Sequence, residues 1–260
     1  MKLIQITDTH LLADPAARYR GWNTWQSLQA VLGQISARHN DLAGLLLTGD
    51  LVHDESVAGY RRLARRLHHF NVPVLALPGN HDRPARLQQL IGLLGRQSGR
   101  EHRFGDWRVL LMSSHWPGQV GGRITRSERL AIDNALRREA APTLLCVHHP
   151  PMDMGSAWLD RIGLEQRPQV QRWLSSHPHL AAVVCGHVHQ AADRCLDGLR
   201  ILTTPSTCRQ FLPASREFAE DDRPPGYRVL QLGDDGQLST WIERLPDPPV
   251  GRPWATQGCG

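Results

Sequence analysis

Five short, largely apolar runs constrain the fold of this chain more than any other feature, because each is followed by a residue that can bind a metal ion. The runs cover residues 4–7, 45–49, 74–79, 144–147 and 183–186, and they lead into Asp8, Asp50, Asn80, His148 and His187. Such runs, bounded by turn residues, indicate buried strands. An open α/β sheet binds ligands at the carboxyl ends of its strands. We therefore expect these side chains to converge on one site that offers too many ligands for a single cation.

The segments between and after these runs predict the rest of the fold. Apolar residues at helical spacing predict helices over 22–39 and 56–70, from 84, from 127 and near 167–175. A further strand is expected over 107–112, and short strands joined by Asp-Gly turns are expected over 194–196, 199–203, 227–232 and 238–242. This order predicts an α/β fold in which two packed mixed β-sheets are flanked by helices. No linker divides the chain, so residues 1–245 are expected to form one domain and residues 246–260 a loose tail.

Composition argues against several classes of protein. No stretch approaches the roughly 18 apolar residues of a membrane span. Met1 leads straight into the first strand without a signal peptide, so a cytoplasmic location without membrane contact is expected. The five cysteines, at positions 146, 185, 195, 208 and 259, are odd in number and scattered, which favours reduced thiols. The net charge is +5, but the arginines are spread along predicted helices, so we do not expect nucleic-acid binding.

The spacing of the polar residues suits metal binding. Asp8 and His10 lie two positions apart, so both side chains point the same way in an extended segment, and His187 and His189 repeat this spacing. Glycines at 49, 79 and 186 permit a sharp turn just before a ligand. Each pair taken singly could be an ordinary turn or a buried core histidine. Five such patterns in this order make that explanation improbable.

These motifs resemble those of the calcineurin-like metallophosphoesterases. The resemblance spans residues 2–212 and is carried by Asp8-x-His10, Gly49-Asp50-x-x-x-Asp54, Gly79-Asn80-His81-Asp82, His148-His149-Pro150 and Gly186-His187-x-His189. Within that superfamily, the stretches 6–11, 148–160 and 204–208 are most similar to the bacterial class III 3′,5′-cyclic nucleotide phosphodiesterases. The resemblance implies a four-layer sandwich of two sheets between helices.

The resemblance also implies a role for each site residue. It implies two divalent cations, with Fe or Mn expected first and Zn or Co as alternatives. The first cation is expected on Asp8, His10, Asp50 and His189, and the second on Asp50, Asn80, His148 and His187. Asp50 would bridge the two cations. His81 would bind no metal and face the scissile phosphate, so Asp50 and His81 are the expected catalytic residues. The phosphate of bound AMP is expected to contact His10, Asp50, Asn80, His81 and His189.

The neighbouring polar residues have weaker assignments. Asp82 is expected to orient His81 or to cap the following helix. His149 is expected to support the ligands or pack beneath them, and His53 could do the same but fits a surface residue better. The histidines at 39, 68, 69, 102, 115, 177 and 179 are interpreted as surface residues.

This centre predicts the reaction. Two cations about 3.5–4 Å apart can share a water and lower its pKa, so a bridging hydroxide can attack phosphorus in line. A protonated His81 could then protonate the leaving 3′-oxygen. The expected activity is hydrolysis of small 3′,5′-cyclic nucleotides, with cyclic AMP giving 5′-AMP, by a monomer or a homodimer.

Two alternatives stay open at this point. One is another phosphoesterase on the same scaffold: a phosphomonoesterase, a 2′,3′-cyclic nucleotide phosphodiesterase, a nuclease or a nucleotide pyrophosphatase-like enzyme. Loops such as 116–126 and 211–224 would decide among these. The other is a non-catalytic scaffold, which the presence of every ligand position and of His81 disfavours.

Overall fold

The computed structural model describes residues 1–94 and 99–246, which contain thirteen strands and six helices. In chain order these elements are β1 (Lys2–Ile6), α1 (Thr24–Arg38), β2 (Leu42–Leu47), α2 (Val57–Leu67), β3 (Val74–Ala76), α3 (Pro84–Leu93), β4 (Glu101–Phe104), β5 (Trp107–Leu111), α4 (Arg126–Arg138), β6 (Thr143–Val147), α5 (Ala157–Arg161), α6 (Arg167–Ser175), β7 (Leu180–Cys185), β8 (Ala192–Leu196), β9 (Leu199–Thr203), β10 (Gln210–Phe211), β11 (Glu220–Asp221), β12 (Gly226–Leu232) and β13 (Leu238–Arg244).

The strands form two mixed sheets and one short pair. The first sheet has the order β13-β12-β1-β2-β3, in which β1, β2 and β3 are parallel and β12 and β13 are antiparallel. The second has the order β4-β5-β6-β7-β9-β8, with four parallel strands between two antiparallel edge strands. Strands β10 and β11 pair only with each other. The parallel strands β1, β2 and β3 end at one edge of the first sheet, and β6 and β7 end at one edge of the second.

Alternating side chains sort the core into layers. In β2, Leu45 and Leu47 pack with residues of α1 and α2, whereas Leu46 belongs to the cluster between the two sheets. In β6, Leu145 and Val147 likewise pack with residues of α4 and α6. Each sheet is therefore covered by helices on its outer face, and its inner face packs against the other sheet. The expected four-layer α/β fold is confirmed.

Local sequence sets where the helices begin. The side chain of Asn23 accepts a hydrogen bond from the backbone N–H of Gln26 at the start of α1. Thr125 does the same for Glu128 at the start of α4, and Pro84 occupies the first turn of α3. The predicted helices and hairpin-linked strands are all present, with ends shifted by a few residues.

Four short elements were not predicted. Strand β4 is rich in charged residues, α5 has five residues, and β10 and β11 have two each. Segments of this length or polarity carry no clear periodic pattern.

The described residues bear on the expectations for membrane spans and for the cysteines. No helix among them is long and apolar enough to cross a bilayer. The four cysteines they include are free thiols: Cys146, Cys185 and Cys208 are buried and Cys195 is exposed. Cys259 and the predicted tail beyond Pro246 lie outside the described residues. The single domain expected for residues 1–245 stays a prediction.

Candidate metal centre

The turns that follow the strands have an unusual backbone. Positive φ angles occur at Asp8 (53°), His10 (44°), Asp50 (52°), His187 (68°) and His189 (49°). A left-handed conformation in a residue other than glycine is uncommon and costs on the order of 1–3 kcal/mol. Such strain persists only where the surrounding structure enforces it, and it is concentrated at functional sites. All five residues are candidate ligands from the sequence.

Close packing of these turns requires glycine at two positions. A Cβ atom on Gly79 would collide with the side-chain oxygen and the backbone nitrogen of Asp50. One on Gly186 would collide with the side chains of Thr7 and Asp8. The turns after β2 and β3 therefore touch, as do those after β1 and β7, and this brings ligands from both sheets together.

One group of donors comes from the turns after β1 and β7. The Nε2 atoms of His10 and His189 lie 3.2 Å apart, and Nε2 of His189 lies 3.2 Å from Oδ1 of Asp8. The Nδ1 nitrogen of His189 lies 2.9 Å from the carbonyl of Arg209, to which it can donate. That bond leaves the lone pair of Nε2 directed at His10 and Asp8.

A second group of donors surrounds the side chain of Asn80. Its Oδ1 atom lies 3.3 Å from Nε2 of His148 and 3.1 Å from Nδ1 of His187. The other ring nitrogens can donate to backbone carbonyls, His148 to Thr48 (2.7 Å) and His187 to Ile162 (3.1 Å). Here too, the backbone selects the tautomer and leaves a lone pair facing the centre.

Asp50 lies between the two groups. Its Oδ2 atom is 3.8 Å from Nε2 of His10, and its Oδ1 atom is 3.4 Å from Nε2 of His148. Oδ1 also accepts the backbone N–H of His81 (2.9 Å). The two carboxylate oxygens thus face different groups of donors, as a bridging ligand requires.

Burial and charge set the protonation of the site. Burial holds the pKa values of His10 and His187 well below the ordinary value, which favours the neutral imidazole that binds metal. Burial acts the same way on His148, but the carboxylate of Asp50 outweighs it and raises the pKa of His148 to about 9, so a cation bound at Nε2 of His148 would take the place of a proton. Burial would raise the pKa of Asp50, yet His148 keeps it well below the usual range, so Asp50 is ionised.

This donor set fits a pair of divalent cations. Nitrogen lone pairs and carboxylate oxygens face one another at 3.2–3.8 Å, and the opposite ring nitrogens of His148, His187 and His189 have carbonyl partners. Mixed imidazole and carboxylate donors suit Fe, Mn, Zn and Co. All seven residues predicted as ligands are brought together: Asp8, His10, Asp50, Asn80, His148, His187 and His189.

A pocket of about 120 Å³ opens onto this centre. Its wall includes every residue predicted to contact the phosphate of AMP, namely His10, Asp50, Asn80, His81 and His189. Asp8 and His148 are buried and do not line it. A larger cavity of about 780 Å³ lies beside residues 160–168, and none of the predicted ligands lines it.

His53 lies at the centre, a position that the sequence offered only as the less favoured alternative. Its Nδ1 atom lies 3.3 Å from Nδ1 of His10, and its ring centroid lies 4.4 Å from that of His81. The interpretation as a surface histidine is wrong, because the residue is half-buried at the centre. The only sequence signal was its nearness to Asp50; the contact itself depends on the parallel pairing of the two turns, in which His53 donates its backbone N–H to Leu11 (2.8 Å).

Asp82 has neither of its expected roles. It makes no hydrogen bond with His81, and α3 has no side-chain cap. Its buried carboxylate instead accepts the backbone N–H groups of Leu51, Val52 and Gly79 and the hydroxyl of Tyr60 (2.7 Å). Burial, followed by the charge of Asp50, raises the pKa of Asp82. Asp82 therefore ties the turn that carries Asp50 to the turn that carries Asn80.

The other histidines divide into three groups. His149 is buried, with Nδ1 2.8 Å from Oγ of Ser114, as expected for a packing role. His39 and His177 are buried beside Glu243 and Asp133, so the surface interpretation is wrong for both. Carboxylate partners make that burial possible. The remaining residues of the set are exposed (His68, His69 and His179) or half-buried (His102 and His115).

The chain is similar to known phosphoesterases. The 3′,5′-cyclic adenosine monophosphate phosphodiesterase CpdA of Escherichia coli (strain K12) is 36% identical over 251 residues, which cover 95% of this chain and 90% of that protein. The protein of the same name from Pseudomonas aeruginosa is 37% identical over 252 residues, which cover 94% of this chain and 90% of that protein. The purple acid phosphatase PPD1 of yellow lupin (Lupinus luteus) shares the fold, with a TM-score of 0.66 at 13% identity over 94% of this chain and 51% of that chain. Residues 1–191 match the family model for calcineurin-like phosphoesterases, and the chain belongs to that family.

Proposed function

We propose that this protein hydrolyses the 3′,5′-phosphodiester bond of cyclic nucleotides, converting cyclic AMP to 5′-AMP at a centre of two divalent cations. The observation that carries the proposal is the position of Asp50, whose two carboxylate oxygens face different groups of metal donors. The substrate is inferred from the relatives named as cyclic AMP phosphodiesterases, which align with almost the whole chain.

The side chains around Asp50 are the proposed ligands of the two cations. Asp8, His10 and His189, together with Asp50, would hold one cation. Asn80, His148 and His187, again with Asp50, would hold the other. Fe and Mn are the proposed metals, and Zn or Co would fit the same donors. When bound, such a pair activates the attacking water and stabilises charge on the phosphoryl oxygens.

His81 is the proposed general acid. Its ring is outside both groups of ligands and lines the pocket, while its backbone N–H is bound to Asp50. The ring of His53 lies against it, with the two centroids 4.4 Å apart. From this position His81 would face the phosphate and donate a proton to the leaving 3′-oxygen.

Reconstitution with metal tests the proposal. Protein stripped with a chelator should be inactive, and addition of Mn²⁺ or Fe²⁺ should restore hydrolysis of cyclic AMP with two bound cations per chain. Chromatography should identify the product as 5′-AMP. Loaded protein that leaves cyclic AMP intact, or that forms 3′-AMP, would contradict the proposal.

A substrate panel separates this function from the alternatives on the same scaffold. Cyclic GMP, 2′,3′-cyclic AMP, bis-p-nitrophenyl phosphate, p-nitrophenyl phosphate and single-stranded DNA should each be compared with cyclic AMP. We expect the highest kcat/KM for a 3′,5′-cyclic nucleotide and no cleavage of DNA. The predicted monomer or homodimer can be distinguished by light scattering on the same preparation.

A further inference from the structure

The pocket has a second, aromatic side that the metal centre does not use. We propose that it is a nucleobase subsite, in which the base of the nucleotide packs against Phe218 and Trp158 beside the guanidinium of Arg20. The inference rests on the proposed function, because it assigns the part of the substrate that the phosphate-binding residues do not contact. All three residues line the same pocket as the metal donors.

Three aromatic rings form a continuous wall. The centroids of Trp158 and Phe211 are 5.0 Å apart, those of Trp158 and Phe218 are 5.1 Å apart, and those of Phe211 and Phe218 are 5.6 Å apart. Every pair packs edge to face, at interplanar angles of 70–76°. This geometry is favourable for aromatic pairs and holds the rings in defined orientations.

The wall is directly connected to the metal centre. The ring of Phe211 stacks parallel on the imidazole of His189, with centroids 4.1 Å apart and an interplanar angle of 8°. Phe211 is 9% exposed, so it serves as the buried support of this stack. A base joined through ribose to a phosphate near His189 would have the outer rings of the wall beside it.

The outer part of the wall offers a surface for stacking. Phe218 is 41% exposed, which leaves much of a large aromatic side chain accessible at the mouth of the pocket. The guanidinium carbon of Arg20 lies 4.5 Å from the ring centroid of Phe218, so the guanidinium covers part of that ring and a base would lie beside it rather than between the two. Aromatic faces and arginine planes are the groups that proteins use to stack unpaired bases.

Short elements that the sequence did not predict hold this wall in place. Trp158 lies on α5, and Phe218 lies in the connection between β10 and β11. These two strands pair through Gln210 with Asp221 and Phe211 with Glu220, which fixes both ends of that connection. Phe218 thus comes from the loop 211–224 that was expected to decide specificity, whereas Trp158 and Arg20 lie outside the loops named for that role.

Replacement of Phe218 tests the inference. We expect Phe218→Ala to raise KM for cyclic AMP about 5- to 30-fold through the loss of one stacked base. The ratio of kcat/KM for cyclic AMP to that for methyl p-nitrophenyl phosphate, a diester without a base, should fall by a similar factor. Phe218→Trp should retain the wild-type ratio. Trp241→Ala is the matched control, since Trp241 is 40% exposed on β13 and does not line the pocket.

Inhibition by product fragments provides a second measurement. In the wild type, 5′-AMP should inhibit more tightly than ribose 5-phosphate, and Phe218→Ala should abolish the difference. Equal inhibition by the two compounds in the wild type, or an unchanged substrate ratio in Phe218→Ala, would overturn the inference while leaving the proposed function intact. A wild type that cannot cleave cyclic AMP would refute the proposed function, and the comparison of 5′-AMP with ribose 5-phosphate would still decide the subsite.

Discussion

The Nδ1 atom of His53 lies 3.3 Å from the Nδ1 atom of His10. The other three histidines proposed as ligands, His148, His187 and His189, each place their second ring nitrogen against a backbone carbonyl. His10 depends on a side chain for the same support. If Nδ1 of His10 donates to His53, the Nε2 lone pair of His10 faces the centre.

We therefore expect His53→Ala to weaken the centre without removing a ligand. Loss of a residue that orients a metal ligand typically costs about 10- to 100-fold in metal affinity or activity. Competition with a chelator measures the affinity for metal. The value of kcat at saturating metal measures how far the loss of His53 also disturbs the positions of His10 and His81.

Two further variants control this experiment. His53→Gln keeps a hydrogen-bonding group and should recover part of the loss. His68→Ala removes an exposed histidine of α2's C-terminal end and should behave like the wild type. If His53→Ala protein kept the wild-type metal affinity and kcat, His53 would have no role in positioning His10.

Local patterns in the sequence were enough to predict which side chains the fold brings together at the centre. Asp8, Asp50, Asn80, His148 and His187 each follow an apolar strand, so strand prediction and the parallel-sheet rule place them together. His53 lies beyond such a strand end, and its contact with His10 depends on how two turns pair. That pairing is a tertiary fact that no local periodicity encodes.

The errors have a similar origin. The role of Asp82 depends on Tyr60, which lies 22 positions earlier in the chain and bonds to it from helix α2. His39 and His177 are buried because Glu243 and Asp133 are brought to them by folding. The aromatic wall was missed because α5, β10 and β11 are too short for a periodic signal. Long-range partners and very short elements were the parts of the site that the sequence did not predict.

Replacing Asp50 and His81 should separate metal binding from catalysis. Asp50→Ala removes the carboxylate between the two groups of donors, so both metal content and turnover should be lost. His81→Ala removes no proposed ligand, so the metal content should remain at two per chain. Its kcat should fall about 10²- to 10⁴-fold, the usual contribution of a general acid. Elemental analysis and steady-state kinetics on the same preparations measure both quantities. Wild-type kcat in His81→Ala, or full metal occupancy in Asp50→Ala, would contradict these assignments.

The buried cysteines should be unreactive over a wide pH range. Burial raises the pKa values of Cys146 and Cys208 to about 12 and raises that of Cys185 as well, so these thiols stay protonated near neutral pH. The thiolate is the reactive form. A Cys195→Ser, Cys259→Ser double variant should therefore show almost no reaction with Ellman's reagent between pH 7 and 9 while folded.

Unfolding and the wild type provide the controls for this measurement. The double variant should release all three remaining thiols in denaturant. Folded wild-type protein should react at exposed Cys195, at a rate that rises with pH. Rapid labelling of the folded double variant would show that its core thiols are accessible.

Alanine should have opposite effects on stability at two glycines, one in the contact between the turns after β2 and β3 and one on a helix. In Gly79→Ala the new methyl group meets the side-chain oxygen and backbone nitrogen of Asp50, so the bridging residue must move. We expect a loss of roughly 1–3 kcal/mol of stability and of at least one bound cation. Gly33 lies within α1 and has no atom within 4 Å of the added Cβ. Gly33→Ala should raise stability by about 0.5–1 kcal/mol with two cations retained, because alanine favours the helix. Denaturant unfolding and elemental analysis compare the two variants, and two bound cations in Gly79→Ala would show that Asp50 tolerates displacement.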